Sequence, residues 1–119
     1  MNTKFQFINL SYLDLMTDGD QDMKATMIEM LLDEIPVEIN KMQELYQAED
    51  WNELREVSHK MKSTLSFVGN NPMTKANKRI EEIAKSEGNS VEIPDLLMVL
   101  QELYPKALAE LQLVETAIQ

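Results

Sequence analysis

The sequence predicts an all-α fold, an antiparallel four-helix bundle with a short N-terminal capping helix. Three observations carry this. The 119 residues include only 3 Gly and 4 Pro, while the good helix formers Leu, Met, Glu, Lys and Gln are frequent. Apolar residues recur at spacings of three and four along four long stretches. Short polar connections separate these stretches, so consecutive helices pack by running antiparallel. The length is that of one domain.

After a short lead-in over 1–10, a first helix is expected from Ser11 to Met16, with Ser11 as its cap and Asp14 at the third helical position. Thr17-Asp18-Gly19 ends it, with Gly19 free to turn left-handed. A second helix is expected from about Asp20 to Ala48, burying Met23, Met27, Met30, Leu31, Ile35, Ile39, Met42 and Leu45. Pro36 lies inside it and predicts a bend or a break, the bend being favoured since the apolar pattern resumes in phase. Asp50 caps a third helix, with Glu53 at the third helical position and Leu54, Ser58, Met61, Leu65 and Val68 in one stripe. Gly69-Asn70-Asn71-Pro72 ends it. A fourth helix runs from about Pro72 to Lys85, turning Met73, Ala76, Ile80 and Ile83 or Ala84 inward. A loop is expected over 86–90. The last helix covers about Glu92 to Ala117, with Leu96, Leu97, Leu100, Leu103, Leu108, Leu111 and Val114 as core. Pro105 bends it or divides it in two.

Composition excludes several functions. A net charge of −10 repels phosphate backbones and anionic lipid, so no nucleic-acid or membrane partner is expected. No cysteine is present, which removes disulfides, thiolate metal sites and cysteine nucleophiles. No apolar run approaches the length of a membrane span, and the first ten residues lack a signal-peptide pattern. A cytoplasmic protein is the expectation. With one histidine, His59, a histidine-cluster metal site is excluded. Asp18, Asp20, Asp22 and Glu29 fall at the first, third, fifth and twelfth places of a calcium loop, but Met23 occupies the place that needs Gly. The aspartates therefore read as a helix start.

On a helical wheel of the third helix with Leu54 at zero, the core stripe lies within about 40° of zero, while His59 falls near ~140°. Arg55 lies one turn before His59, and Lys62 and Ser63 one turn after. An exposed imidazole of this kind is a nucleophile near neutral pH, and flanking cations favour a bound phosphoryl group. Ser63 and Ser66 are small enough for a partner surface to come close, and Phe67 offers an aromatic docking contact. A surface histidine without a role, ordinary solvated lysines, and a Phe67 tucked under the helix end fit the same wheel. The charge distribution weighs toward function: residues 51–79 carry net +4, against −8 for 1–50 and −6 for 80–119. This basic region suits an acidic protein cleft or a phosphate.

Asp50-Trp51-Asn52-Glu53-Leu54 followed by His59-Lys60-Met61-Lys62-Ser63 resembles the signature of the histidine-containing phosphotransfer (HPt) domains of bacterial phosphorelays. Gly69, Tyr12-Leu13-Asp14 and Leu31-Leu32-Asp33-Glu34-Ile35-Pro36 are also similar to the family, and the likeness spans roughly 10–115. Two departures are Ser63, where the family commonly has glycine, and the turn Asn70-Asn71-Pro72-Met73. The resemblance implies that His59 accepts a phosphoryl group from a receiver-domain aspartate and passes it to another. By the resemblance Lys62 would stabilise the phosphohistidine; by the wheel Arg55 would lend charge, and Lys60, Ser63, Ser66 and Phe67 would meet the partner. It further implies no cofactor or metal on this chain, magnesium on the receiver, no kinase activity of its own, and receivers or a hybrid sensor kinase as partners. A monomer is expected. Two other readings remain: a helical interaction module that has lost transfer, and a fragment of a hybrid kinase, against which Met1 and the full-length terminal helices weigh.

Overall fold

The computed structural model describes residues 5–86 and 91–118. The helix-forming stretches become five helices: α1 (Ser11–Thr17), α2 (Gln21–Gln47), α3 (Trp51–Val68), α4 (Asn71–Lys85) and α5 (Glu92–Ile118). No strand occurs among the described residues. Local chemistry sets the starts of three of them. The side chains of Asp20, Asp50 and Asn70 accept the backbone N–H three residues on, from Met23, Glu53 and Met73 respectively. Each satisfies a donor that the first helical turn leaves without a partner. Asp20 thus acts as the helix start expected of the aspartate cluster.

The start of α1 differs from expectation. Ser11 is its first residue and not its cap; Leu10 holds the cap position, and the Asn9 side chain accepts the Ser11 N–H instead. At its other end Asp18 enters the left-handed region (φ 47°) together with Gly19 (φ 81°). α2 and α5 each continue as one helix through Pro36 and Pro105, so α5 is not divided. The loop expected over 86–90 lies outside the described residues except for Ser86.

The four long helices pack as a closed ring, α2 against α3, α3 against α4, α4 against α5 and α5 against α2, with α1 resting on α2 and α3. The described chain measures 47 × 22 × 19 Å. Its core runs along the axis through Ile28, Leu31, Ile35, Ile39 and Met42 of α2, Leu54, Met61 and Leu65 of α3, Met73 and Ile80 of α4, and Leu97, Leu100 and Leu111 of α5. Met23 and Met30, expected inside, are about half exposed, whereas Ile28 is fully buried. The inward stripe of α2 therefore passes through Ile28, and unbranched methionines at its margin remain at the surface.

The segment before α1 is strapped over the junction of α3 and α4. Asn9 N–H donates to Val68 O at 2.9 Å, and Asn70 Nδ2 donates to Phe7 O at 2.9 Å. The Glu110 carboxylate of α5 accepts both Gln6 N–H and Phe7 N–H. Gly69 makes this approach possible. It caps α3 in the left-handed region (φ 72°), and a Cβ there would clash with the Asn9 backbone. We expect Gly69→Ala to destabilise the fold by about 2 kcal/mol, adding backbone strain to this clash. Urea unfolding checks this; an unchanged midpoint would remove the close approach from the account.

Candidate functional site

The site begins with two polar residues in otherwise apolar stripes. Ser58 of α3 and Asn77 of α4 are both fully buried. The Ser58 hydroxyl lies 2.8 Å from both the backbone and the side-chain oxygen of Asn77, and Asn77 Nδ2 donates to Ser58 O at 2.9 Å. Buried polar groups cost little only when paired, so this exchange fixes one rotation and one register of α3 against α4. The residue after Ser58 is then turned outward, and the residue one turn after Asn77 is brought beside it. These are His59 and Glu81.

His59 has 67% of its side chain exposed, as the wheel expects, and its Nδ1 lies 2.7 Å from Glu81 Oε2. Lys62 Nζ lies 3.3 Å from the other oxygen of the same carboxylate. An ionised carboxylate only accepts, so Nδ1 carries the hydrogen and the lone pair of the neutral ring resides on Nε2. Burial by itself raises the Glu81 carboxyl, but the hydrogen bonds from His59 and Lys62 and their charges outweigh it and hold the group below its ordinary value. Glu81 thus stays ionised and orients the imidazole.

The other residues singled out in the sequence divide. Lys60, Ser63 and Ser66 are exposed on the same helix, and the Ser66 hydroxyl donates to Ser63 O within it. Arg55 does not join the histidine: its guanidinium is engaged by Glu56 at 2.9 Å and by Asn52 at 3.3 Å, toward the start of α3. Phe67 is half-buried and not freely exposed, because α1 covers it: the rings of Tyr12 and Phe67 stack tilted at 5.3 Å. Between α2 and α3, Glu38, Lys41, Glu53, Glu56, Val57, His59 and Lys60 line a cleft of about 400 Å³.

Sequence reasoning missed Glu81. Its neighbours Lys78, Arg79 and Glu82 make it read as one more surface charge. The available signal was Asn77, a polar residue at a position spaced for the core, with Glu81 four residues on.

A family profile of the Hpt domain matches residues 26–114. The chain belongs to this family, whose members carry out histidine phosphotransfer in two-component systems. No curated protein and no solved structure matches the chain.

The position of Glu81 makes the site sensitive to acid. Its lowered pKa means that the stabilisation from its His59 and Lys62 contacts is full above its ordinary value of 4.5 and is lost as pH falls through the lower value of the folded state. We expect carboxyl NMR titration to show Glu81 among the last glutamates to protonate, with the His59 ring signals moving in the same step. Titration of Glu81 at its ordinary value would contradict the pairing.

Proposed function

We propose that this protein is a phosphotransfer intermediate that carries a phosphoryl group between receiver-domain aspartates. One observation supports the reading above all: the single imidazole stands in solvent while Glu81 occupies its inner nitrogen. The helices would form the family's antiparallel four-helix bundle, α1 serving as the cap beside the α2–α3 groove.

A phosphorylated receiver docks over the exposed face of α3. The His59 Nε2 lone pair attacks phosphorus in line, the N–P bond forms, and the P–O bond to the aspartate breaks, returning its carboxylate. Nδ1 keeps its proton, so the ring becomes positive as the bond forms, and the Glu81 carboxylate behind it offsets that charge. Lys62 lies close enough to leave Glu81 and face the phosphoryl oxygens, to which it donates charge-assisted hydrogen bonds. The steps run in reverse onto a second receiver. The receiver's acidic pocket is the place for magnesium, which offsets phosphoryl charge there. This chain supplies a nucleophile, its orienting carboxylate, a cation and a docking face. Ser63 keeps that face low next to the histidine. Arg55 serves at most as a distant charge, since Glu56 already occupies it. Lys60, Ser66 and the exposed edge of Phe67 would border the partner, and a transiently docked carrier works as a monomer.

Incubation with an aspartyl-phosphorylated receiver should place acid-labile, base-stable phosphate on the chain. His59→Gln should abolish it, and label retained in that variant would overturn the assignment. Lys62→Ala should fold normally, because the side chain is 55% exposed. It should lower the phosphohistidine yield or lifetime about tenfold, the loss of one charge-assisted contact of about 1.5 kcal/mol. An unchanged time course would take Lys62 out of the site.

A further inference from the structure

The groove on the α4 side of His59 is chemically unlike the cleft on its α2 side. Lys62 and Leu65 of α3 with Thr74, Asn77 and Lys78 of α4 line a hollow of about 230 Å³, the size of one large side chain. Its uncharged polar groups are already used within the protein. Thr74 Oγ1 donates to Asn70 O, and the Asn77 side chain is paired with Ser58. Buried Leu65 forms the floor. Below the two lysines a guest finds no uncharged hydrogen-bonding group left to satisfy, so an apolar side chain suits it.

The rim is cationic. Lys62 is shared with Glu81, and Lys78 is exposed with no ion-pair partner among the described residues. Across the helix, the α2–α3 cleft places Glu38, Glu53 and Glu56 around Lys41 and Lys60. A partner carboxylate is attracted to the α4 side and gains less on the α2 side, where three carboxylates stand beside two lysines.

From this juxtaposition we infer that the α3–α4 groove is an anchor pocket for the receiver domain, taking an apolar side chain flanked by an Asp or Glu that pairs with Lys78. The inference rests on the phosphotransfer reading and adds to it the element that fixes which way round the receiver docks. The pocket lies about one to two turns along the helix pair from His59 and Glu81, so an anchored loop brings its domain over Nε2 without covering it. Its charge selects against receivers whose matching loop is basic.

The test separates docking from chemistry. Potassium phosphoramidate labels His59 directly, with release of ammonia, and reads the histidine's reactivity in every variant without a partner. The labelled 119-residue chain is then mixed with a panel of purified receiver domains, and loss of label is timed. Lys78→Glu, an exposed change, should slow transfer to the preferred receiver about tenfold and weaken its salt dependence. Reversing the receiver's carboxylate to Lys should restore the rate in that variant. Thr74→Trp, which fills the hollow, should act in the same direction, with circular dichroism reporting its fold. If Lys78→Glu transfers at the wild-type rate, the anchor is overturned and the phosphotransfer reading stands. A loss of phosphoramidate labelling equal to the loss of transfer would assign Lys78 to the chemistry and also overturn it. Dimerisation abolished by Lys78→Glu would give the groove to a second copy. If no receiver takes label from the wild-type chain, the relay reading falls and the anchor falls with it.

Discussion

The arrangement depends on one buried polar exchange, that between Ser58 and Asn77. Apolar ridges alone leave neighbouring helices free to settle in several nearly equivalent rotations. A hydroxyl and an amide inside the core remove that freedom, because each must find the other or lose about 1–3 kcal/mol. Their pairing sets the azimuth of α3 against α4. His59, one residue beyond Ser58, then has to point away from the core, and Glu81, one turn beyond Asn77, has to lie next to it. The same device that specifies packing thus positions the reactive ring.

Electrostatics explain why the two charged neighbours differ in use. Glu81 is only 17% exposed and sits between a ring N–H and an ammonium group, so its charge is compensated on both sides. A contact of that kind holds a side chain in place. Arg55 pairs with Glu56 in open solvent, where ion pairs contribute about 0–1 kcal/mol and hold little. The molecule as a whole is acidic, yet the α3–α4 side of the histidine is basic and the α2 side is mixed. A partner approaching His59 therefore meets an asymmetric field before it makes any contact.

Most of the fold was legible because helices announce themselves through spacing and caps. Asp50, Glu53 and the stripe Leu54-Ser58-Met61-Leu65-Val68 located α3, and the wheel placed His59 in solvent where the structure has it. Local competition explains the misses. Ser11 is not the cap, because the helix begins one residue earlier: Leu10 O accepts the Asp14 N–H, and the Asn9 side chain accepts that of Ser11. Met23 and Met30 fit a three-four spacing as well as Ile28 does, and only the neighbouring helices decide which face turns inward. Phe67 fits an exposed or a tucked position on the wheel alike, and the contact with Tyr12 of α1 decides it. Glu81 lay beyond reach for a different reason. Its role is a contact across 22 positions of sequence, and no pattern within one helix reveals which residue of another stands opposite.

The two nitrogens of the His59 ring have different tasks, one held by Glu81 and the other open to phosphorus. With histidine labelled by 15N, NMR resolves which nitrogen bears hydrogen in the neutral imidazole and which becomes bonded to phosphorus after transfer. Hydrogen on Nδ1 and phosphorus on Nε2 are the expected result, with the Nδ1 hydrogen retained throughout. Phosphorus on Nδ1, or a neutral ring protonated on Nε2, would mean that Glu81 does not hold the imidazole and that the geometry described for this site is not the one at work.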